Sequence, residues 1–147
     1  MSAQPQEDTT AGTRIRVERA WGRPVSGKAL VMREGFSPRY DLDRTTGIIS
    51  RIGHSAEGES LKDRIVFIPT VKGGVAGGWA FLDILEKGYA PAAFVFGRIN
   101  PVMVQGAVLA RLPIMSGWQP DAARIRNGDT VRLDPDARAI EIVAAQG

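Results

Sequence analysis

The sequence predicts an α+β domain, or a β-barrel-like sheet core with flanking helices, from three observations. Short β-type runs recur between turn signals, and one clear helical pattern follows a glycine-rich segment. The C-terminal residues alternate apolar and polar side chains, as the two strands of a hairpin do. At 147 residues, the chain is long enough for one domain with a substantial core.

Five apolar or β-branched runs predict strands, and the chain ends in a predicted hairpin. The runs are residues 15–18, 29–32, 48–52, 65–68 and 92–96. Further along, the stretch DTVRLDPDARAIEIV alternates on both sides of residues 134–138, which predicts a hairpin whose turn has about four or five residues.

Two segments predict helices. In residues 78–87, Phe81, Leu82 and Leu85 fall at helical spacing on one face, and a lysine followed by glycine gives a stop signal. Residues 101–110 begin with a proline, which suits a first helical turn, and continue with valines and a leucine that can share a face.

Composition predicts a soluble domain over residues 14–147. Hydrophobic residues make up 44% of the chain and charged residues 24%, and no apolar run approaches the roughly 20 residues of a membrane span. Residues 1–13 read as a disordered polar tail without the charged-then-apolar order of a signal peptide. We therefore expect a cytoplasmic protein that binds no membrane.

Cysteine is absent and there is a single histidine, so this chain alone offers neither a disulfide framework nor a set of thiolate or imidazole metal ligands. Any metal should come from a partner. The net charge of +3 arises from scattered residues rather than from a basic patch, so no nucleic-acid partner is expected.

The segment at residues 65–85 is the strongest candidate for a binding site. A strand runs into a loop that contains Gly73, Gly74, Gly77 and Gly78, and the chain leaves the loop through the predicted helix. Glycines let backbone N–H groups approach a bound oxygen, the first turn of a helix adds unpaired donors, and Lys72 adds a full positive charge. The loop has neither the Walker A nor the dinucleotide-binding spacing. It predicts a site for an anion; the alternative is a strand-to-helix connection whose glycines serve tight packing.

Seven pieces of the sequence, in order, resemble the small subunit of aconitase X. They are GRPVSGKALV (22–31), DRTTGIIS (43–50), GHSAEGESLKDRIVFIP (53–69), KGGVAGGW (72–79), EKGYAPAAFVF (86–96), GAVLARLPIM (106–115) and NGDTVRLD (127–134). The resemblance covers nearly all of residues 22–142, and its specificity lies in the order of the pieces.

This resemblance implies a swivelling β/β/α domain that closes over a large subunit or a fused large domain, and that partner carries iron or an iron–sulfur cluster. Members of the family are hydro-lyases that dehydrate hydroxy acids, with 5-phosphomevalonate and cis-3-hydroxy-L-proline as known substrate classes. The implied partners of this chain are therefore an aconitase X large subunit and a small hydroxy-acid substrate.

The family loop resembles G-R-G-S-x-x-G-S, with the first serine as the catalytic base. Aligned on the glycines, this chain has Lys72 at the arginine position, Gly74 at the position of the catalytic serine and Gly78 at the second serine. Glycine has no side chain that accepts a proton. Another group must then act as the base, or the partner supplies it, or the activity has changed.

Other residues that the resemblance places at the site are candidates for the role of the missing base or for substrate binding. His54, Ser55 and Lys72 are the local candidates, and Lys72 suits the fixing of a substrate carboxylate better than proton abstraction, because lysine is protonated at neutral pH unless strongly perturbed. The competing interpretation of His54 is a loop histidine whose ring nitrogens bond the backbone. Arg39 could hold a carboxylate with two parallel hydrogen bonds, or it could be a solvated surface residue.

Two functions of other classes stay open. In the first, the chain is a catalytically silent homologue whose glycine-rich loop binds a small anion or a partner protein. In the second, it is a self-sufficient homo-oligomer with an anion site between subunits.

Overall fold

The computed structural model describes residues 12–38, 40–71, 82–83, 85–98, 111–119 and 125–145. These residues form ten strands. The strands are β1 (Arg14–Arg16), β2 (Arg19–Trp21), β3 (Val25–Val31), β4 (Leu42–Asp43), β5 (Ile48–Ile49), β6 (Ile65–Thr70), β7 (Ala93–Arg98), β8 (Ile114–Ser116), β9 (Thr130–Asp134) and β10 (Ala139–Ala144).

Eight strands form one mixed sheet in the order β1-β10-β9-β3-β6-β7-β8-β2, and β4 pairs with β5 separately. Strands β1 and β2 stand at opposite ends of this order, yet only Val17 and Glu18 separate them along the chain. The Val17 N–H donates to the carbonyl of Arg138 beside β10, and the Glu18 N–H donates to that of Ser116 in β8, both at 3.0 Å. The two edges therefore meet, and the sheet closes into the predicted barrel-like core.

Strands β3, β6, β7 and β8 are parallel neighbours, and their side chains are buried on both faces. Alternate residues of these strands point into two apolar clusters, as parallel strands covered on both faces require. The barrel interior, which also receives side chains of β9 and β10, contains Ala29, Ile65, Phe67, Ala93, Val95, Met115, Val131, Leu133, Ile140 and Ile142. The outer cluster contains Leu30, Val66, Ile68, Phe94, Phe96 and Ile114.

The long connection between β3 and β6 covers this outer cluster. Its described residues contribute six fully or almost fully buried apolar side chains to the cluster, namely Met32, Phe36, Leu42, Ile49, Ala56 and Leu61. Because these side chains are spread over the whole connection, it lies against the sheet instead of projecting into solvent.

The predicted hairpin is confirmed, with residues 135–138 forming the turn between β9 and β10. The five predicted runs correspond to β1, β3, β5, β6 and β7. The run at 48–52 was drawn too long, since only its first two residues form a strand and Ile52 is 89% exposed. Strands β2, β4 and β8 were not predicted, because two or three residues carry no readable alternation.

Of the helix predicted at 78–87, residues 82, 83, 85 and 86 are described and are helical, and the chain turns at 87–88. The helix predicted at 101–110 lies outside the described residues. Gly12 and Thr13, which we had assigned to the tail, are hydrogen-bonded to Ile142 of β10. Within the described part of the chain, no helix is long and apolar enough to cross a membrane.

Replacing Phe67 with alanine tests the barrel interior. Phe67 is fully buried and packs edge-to-face against Trp118, with ring centroids 5.3 Å apart. We expect Phe67→Ala to lower the free energy of unfolding in urea by about 3–5 kcal/mol, because it removes buried surface and leaves a cavity. Ile52→Ala is the control and should change it by less than about 0.5 kcal/mol. A loss below about 1 kcal/mol for Phe67→Ala would contradict this packing.

Candidate functional site

The candidate site lies where the parallel strands β3 and β6 end. Beyond β3, the chain continues beside β6: the Met32 N–H donates to the Phe67 carbonyl at 3.0 Å and the Phe36 N–H to the Thr70 carbonyl at 2.9 Å. A parallel bridge joins Phe36 to Val71, the residue just before the glycine-rich segment. Carboxyl ends of parallel strands are the usual place for ligand sites in such sheets.

A cavity of about 360 Å³ opens at this edge of the sheet. Its walls come from the residues that follow β3 and from the loop around residue 53. The lining residues are Glu34, Gly35, Ser37, Tyr40, Asp41, Arg51, Ile52, Gly53 and His54. The volume lies at the small end of the range for small-molecule sites, which is about 300–1,000 Å³.

His54 is held by its own loop and by the chain after β3. Its Nδ1 accepts a hydrogen bond from the backbone N–H of Ala56 at 3.0 Å, so in the neutral ring the proton lies on Nε2. Nε2 lies 3.4 Å from the Gly35 carbonyl oxygen, and the ring stands edge-to-face against Phe36. The side chain is 1% exposed. This geometry favours the interpretation of His54 as a loop histidine that positions its neighbours.

Ser55 connects the same two segments. Its hydroxyl oxygen accepts a hydrogen bond from the Arg33 N–H at 3.0 Å and donates a short one to Oε1 of Glu34. The Ser55 N–H donates to Oε2 of Glu34 at 3.1 Å. The Ser55 hydroxyl is therefore already occupied by contacts within the protein.

The pKa of Glu34 lies below its ordinary value of 4.5. Partial desolvation acts to raise this pKa, but it is outweighed by the Ser55 hydroxyl, by the backbone N–H groups of Glu34 and Ser55, and by the positive charge that His54 can carry. The carboxylate is thus the form present at neutral pH. Its side chain is 44% exposed and lines the cavity.

Asp41 and Arg51 also line the cavity. Asp41 is 4% exposed, and its Oδ2 accepts a hydrogen bond from the Ser37 N–H at 2.8 Å. Its Oδ1 pairs with Nη1 of Arg51 at 3.3 Å, while the arginine side chain stays 60% exposed. The buried carboxylate thereby anchors a guanidinium whose remaining N–H groups can bind an anion.

Of the residues predicted from the sequence, His54 lines this cavity. Ser55 follows it in the chain and is hydrogen-bonded to Glu34, another lining residue. Arg39, Lys72, Gly73, Gly74, Gly77 and Gly78 lie outside the described residues, so their roles stay predictions. Sequence reasoning missed Glu34 and Arg51. The one signal in the sequence was a charged residue close to the end of an apolar strand. Such residues are also frequent in solvated turns, so this signal does not identify a site residue.

The described residues offer no group of three or more histidine, cysteine, aspartate or glutamate side chains that could hold a metal ion.

The described residues thus form a closed mixed sheet with a small polar cavity at the ends of two parallel strands. The chain belongs to the aconitase X swivel domain family, whose sequence model matches residues 14–142.

Relatives with assigned names agree with this family. The chain is 29% identical over 129 residues to the phosphomevalonate dehydratase small subunit of Methanocella arvoryzae, and the alignment covers 87% of this chain and 98% of the relative. The same-named subunit of Thermococcus sibiricus is also 29% identical, with 88% and 98% covered. The crystal structure of Thermococcus kodakaraensis aconitase X in its holo form superposes with a TM-score of 0.81 at 24% identity, covering 89% and 98%, and supports the fold.

Substitution of His54 separates a positioning role from a role as base. His54→Ala should lower the free energy of unfolding by about 1–3 kcal/mol, because the buried Ala56 N–H loses its acceptor. His54→Asn should recover part of this loss, since an amide oxygen can accept that hydrogen bond. Urea unfolding measures both variants. Equal destabilisation by alanine and asparagine would contradict the positioning role.

Proposed function

We propose that this chain is the small, swivelling subunit of an aconitase X type hydro-lyase that dehydrates a hydroxy acid together with a large subunit. The observation that carries this proposal is the match to named small subunits over 98% of their length. Their name implies a large-subunit partner. The cavity supports the same idea, since one open, small site at a sheet edge needs a second surface to enclose a substrate.

Dehydration of a hydroxy acid needs three kinds of group. A base takes the α-proton, an acid assists the leaving hydroxyl, and cationic or N–H donors stabilise the negative charge that develops on the substrate carboxylate. We assign the donors to this chain. Lys72 and the backbone N–H groups of Gly73, Gly74, Gly77 and Gly78 suit one anionic group of the substrate. The exposed guanidinium of Arg51 is a further donor on the cavity wall.

The acid on the leaving hydroxyl is assigned to the large subunit, as an iron or iron–sulfur centre. The composition of this chain supports that division, because it has no cysteine and one histidine. We assign a cytoplasmic location on the same grounds, because the reducing cytosol keeps the cysteine ligands of such a cluster as thiols.

The substrate class is a small anionic hydroxy acid. The named relatives dehydrate phosphomevalonate, which carries both a carboxylate and a phosphate. Donors on Arg51 and on the glycine-rich loop could engage the two anionic groups separately, whereas a hydroxyproline would offer one carboxylate. Phosphomevalonate is therefore the first substrate to test.

Co-expression with an aconitase X large subunit from the same genome tests the proposal. We expect a stable complex that contains metal and turns over a member of a hydroxy-acid panel including phosphomevalonate and hydroxyprolines. Co-purification, metal analysis and detection of the dehydrated product are the measurements. A chain that purifies alone and leaves the large subunit inactive would contradict the proposal.

That result would favour the silent homologue, because Gly74 stands where the family's catalytic serine is expected. A gain of turnover in the Gly74→Ser variant would then support this alternative.

Lys72 should matter for turnover more than for assembly. We expect Lys72→Ala to lower kcat/KM by about 100-fold, because it removes a charged donor from the substrate anion, with the affinity for the large subunit changed by less than about threefold. Lys72→Arg is the matched control and should retain a larger share of activity. Loss of assembly without a specific loss of turnover would contradict this role.

A further inference from the structure

The described wall of the cavity contains one carboxylate that is both exposed and ionised. Glu34 faces the cavity with a side chain that is 44% exposed, and its two oxygens provide about four acceptor positions. Ser55 uses one position on each oxygen through its hydroxyl and its N–H, and the backbone N–H of Glu34 uses another. Acceptor capacity therefore remains for a ligand.

Other polar side chains on this wall are already engaged. Both oxygens of Asp41 are used, by the Ser37 N–H and by Arg51, and the carboxylate is buried. The Nδ1 lone pair of His54 accepts the Ala56 N–H. Arg51 is permanently protonated and carries no acceptor. Among the described residues that line the cavity, Glu34 is thus the group best placed to receive a proton.

The position of Glu34 connects it to the loop in which the expected base is missing. Glu34 lies two residues before Phe36, whose N–H bonds Thr70 and which bridges to Val71. The glycine-rich segment starts at the next residue, Lys72. The strand pairing therefore brings the carboxylate to the same sheet edge from which that segment departs.

We propose that Glu34 is the base that takes the α-proton of the substrate, a task for which Gly74 has no side chain. This inference rests on the proposed function. In the step, the α C–H bond breaks, the proton passes to a carboxylate oxygen of Glu34, and the electron pair is delocalised into the substrate carboxylate as an enolate. The hydroxyl then leaves as hydroxide; a Lewis-acid metal on the large subunit, as the proposed function assigns it, would assist this departure.

Ser55 acts as a positioning residue for this base. Its hydroxyl and N–H hold the carboxylate in place and lower the pKa of Glu34 by stabilising the ionised form. Other charged or titratable groups lie near Glu34. Nε2 of His54 is 3.6 Å from Oε1 of Glu34, and Arg33 precedes Glu34 in the chain. Tyr40, Asp41 and Arg51 line the same cavity.

Glu34→Gln in the complex with the large subunit tests the base directly. We expect kcat to fall by at least about 100-fold, together with the exchange of the substrate α-proton for solvent deuterium, while complex formation and KM change by less than about threefold. Glu34→Asp should keep part of the activity. Glu57→Gln is the matched control: Glu57 belongs to the same loop and accepts the Gly53 N–H, but it is not among the residues that line the cavity.

The outcomes separate this inference from the proposed function. In one outcome, the wild-type complex is active while its Glu34→Gln variant exchanges the substrate α-proton and turns over at the wild-type rate. That result would overturn the role of Glu34 and place the base on the partner, and the proposed hydro-lyase function would still hold. A wild-type complex that forms but dehydrates no hydroxy acid would overturn both.

The dependence of kcat/KM on pH tests whether Ser55 acts through Glu34, because a purely structural role of Ser55 would leave this dependence unchanged. Removing the Ser55 hydroxyl removes a hydrogen bond to the ionised form, so the pKa of Glu34 should rise. Because the base must be ionised, the acid limb of kcat/KM should shift to higher pH in Ser55→Ala, and Ser55→Thr should restore it. An unchanged acid limb in Ser55→Ala would contradict the coupling of Ser55 to Glu34.

Discussion

Strands β3, β6, β7 and β8 carry apolar side chains on both faces, so neither face of the sheet can be left in water. Closure through Val17 and Glu18 buries one face inside the barrel, where β9 and β10 add their own apolar side chains. The other face has to be covered from outside. Among the described residues, the connection between β3 and β6 does this with side chains such as Phe36, Leu42 and Leu61. Each fully buried side chain of this kind stabilises the fold by about 1.5–3 kcal/mol.

Coverage of the outer face also positions the polar groups. Phe36 is anchored in the outer cluster, and its immediate neighbours in the chain are therefore fixed at the end of β6. The loop that carries His54 and Ser55 is anchored in the same cluster through Ala56. Once both segments are held, their buried polar atoms need partners, and the segments supply these to each other through Glu34, Ser55 and His54. The cavity is thus a consequence of how the sheet is covered.

Sequence alone predicted the parts of this structure that depend on local pattern. The apolar runs of β3, β6 and β7 and the alternation of the C-terminal hairpin are such patterns. The short strands β2 and β8 were missed, because three residues carry no readable alternation. The network at Glu34 was missed for a similar reason: it joins residues about 20 positions apart, and no spacing rule connects them. The His54 side chain was found because it is the one histidine, although its bond to Ala56 suits positioning better than proton transfer.

Hydrogen–deuterium exchange of this chain, alone and with the large subunit, would test most directly whether the cavity edge is its half of a shared site. We expect slower exchange on complex formation at backbone amides of residues 33–38 and 51–57, which carry the cavity walls, with little change at the β9–β10 turn, residues 135–138. Protection confined to the β9–β10 turn, with residues 33–38 and 51–57 unchanged, would contradict the account.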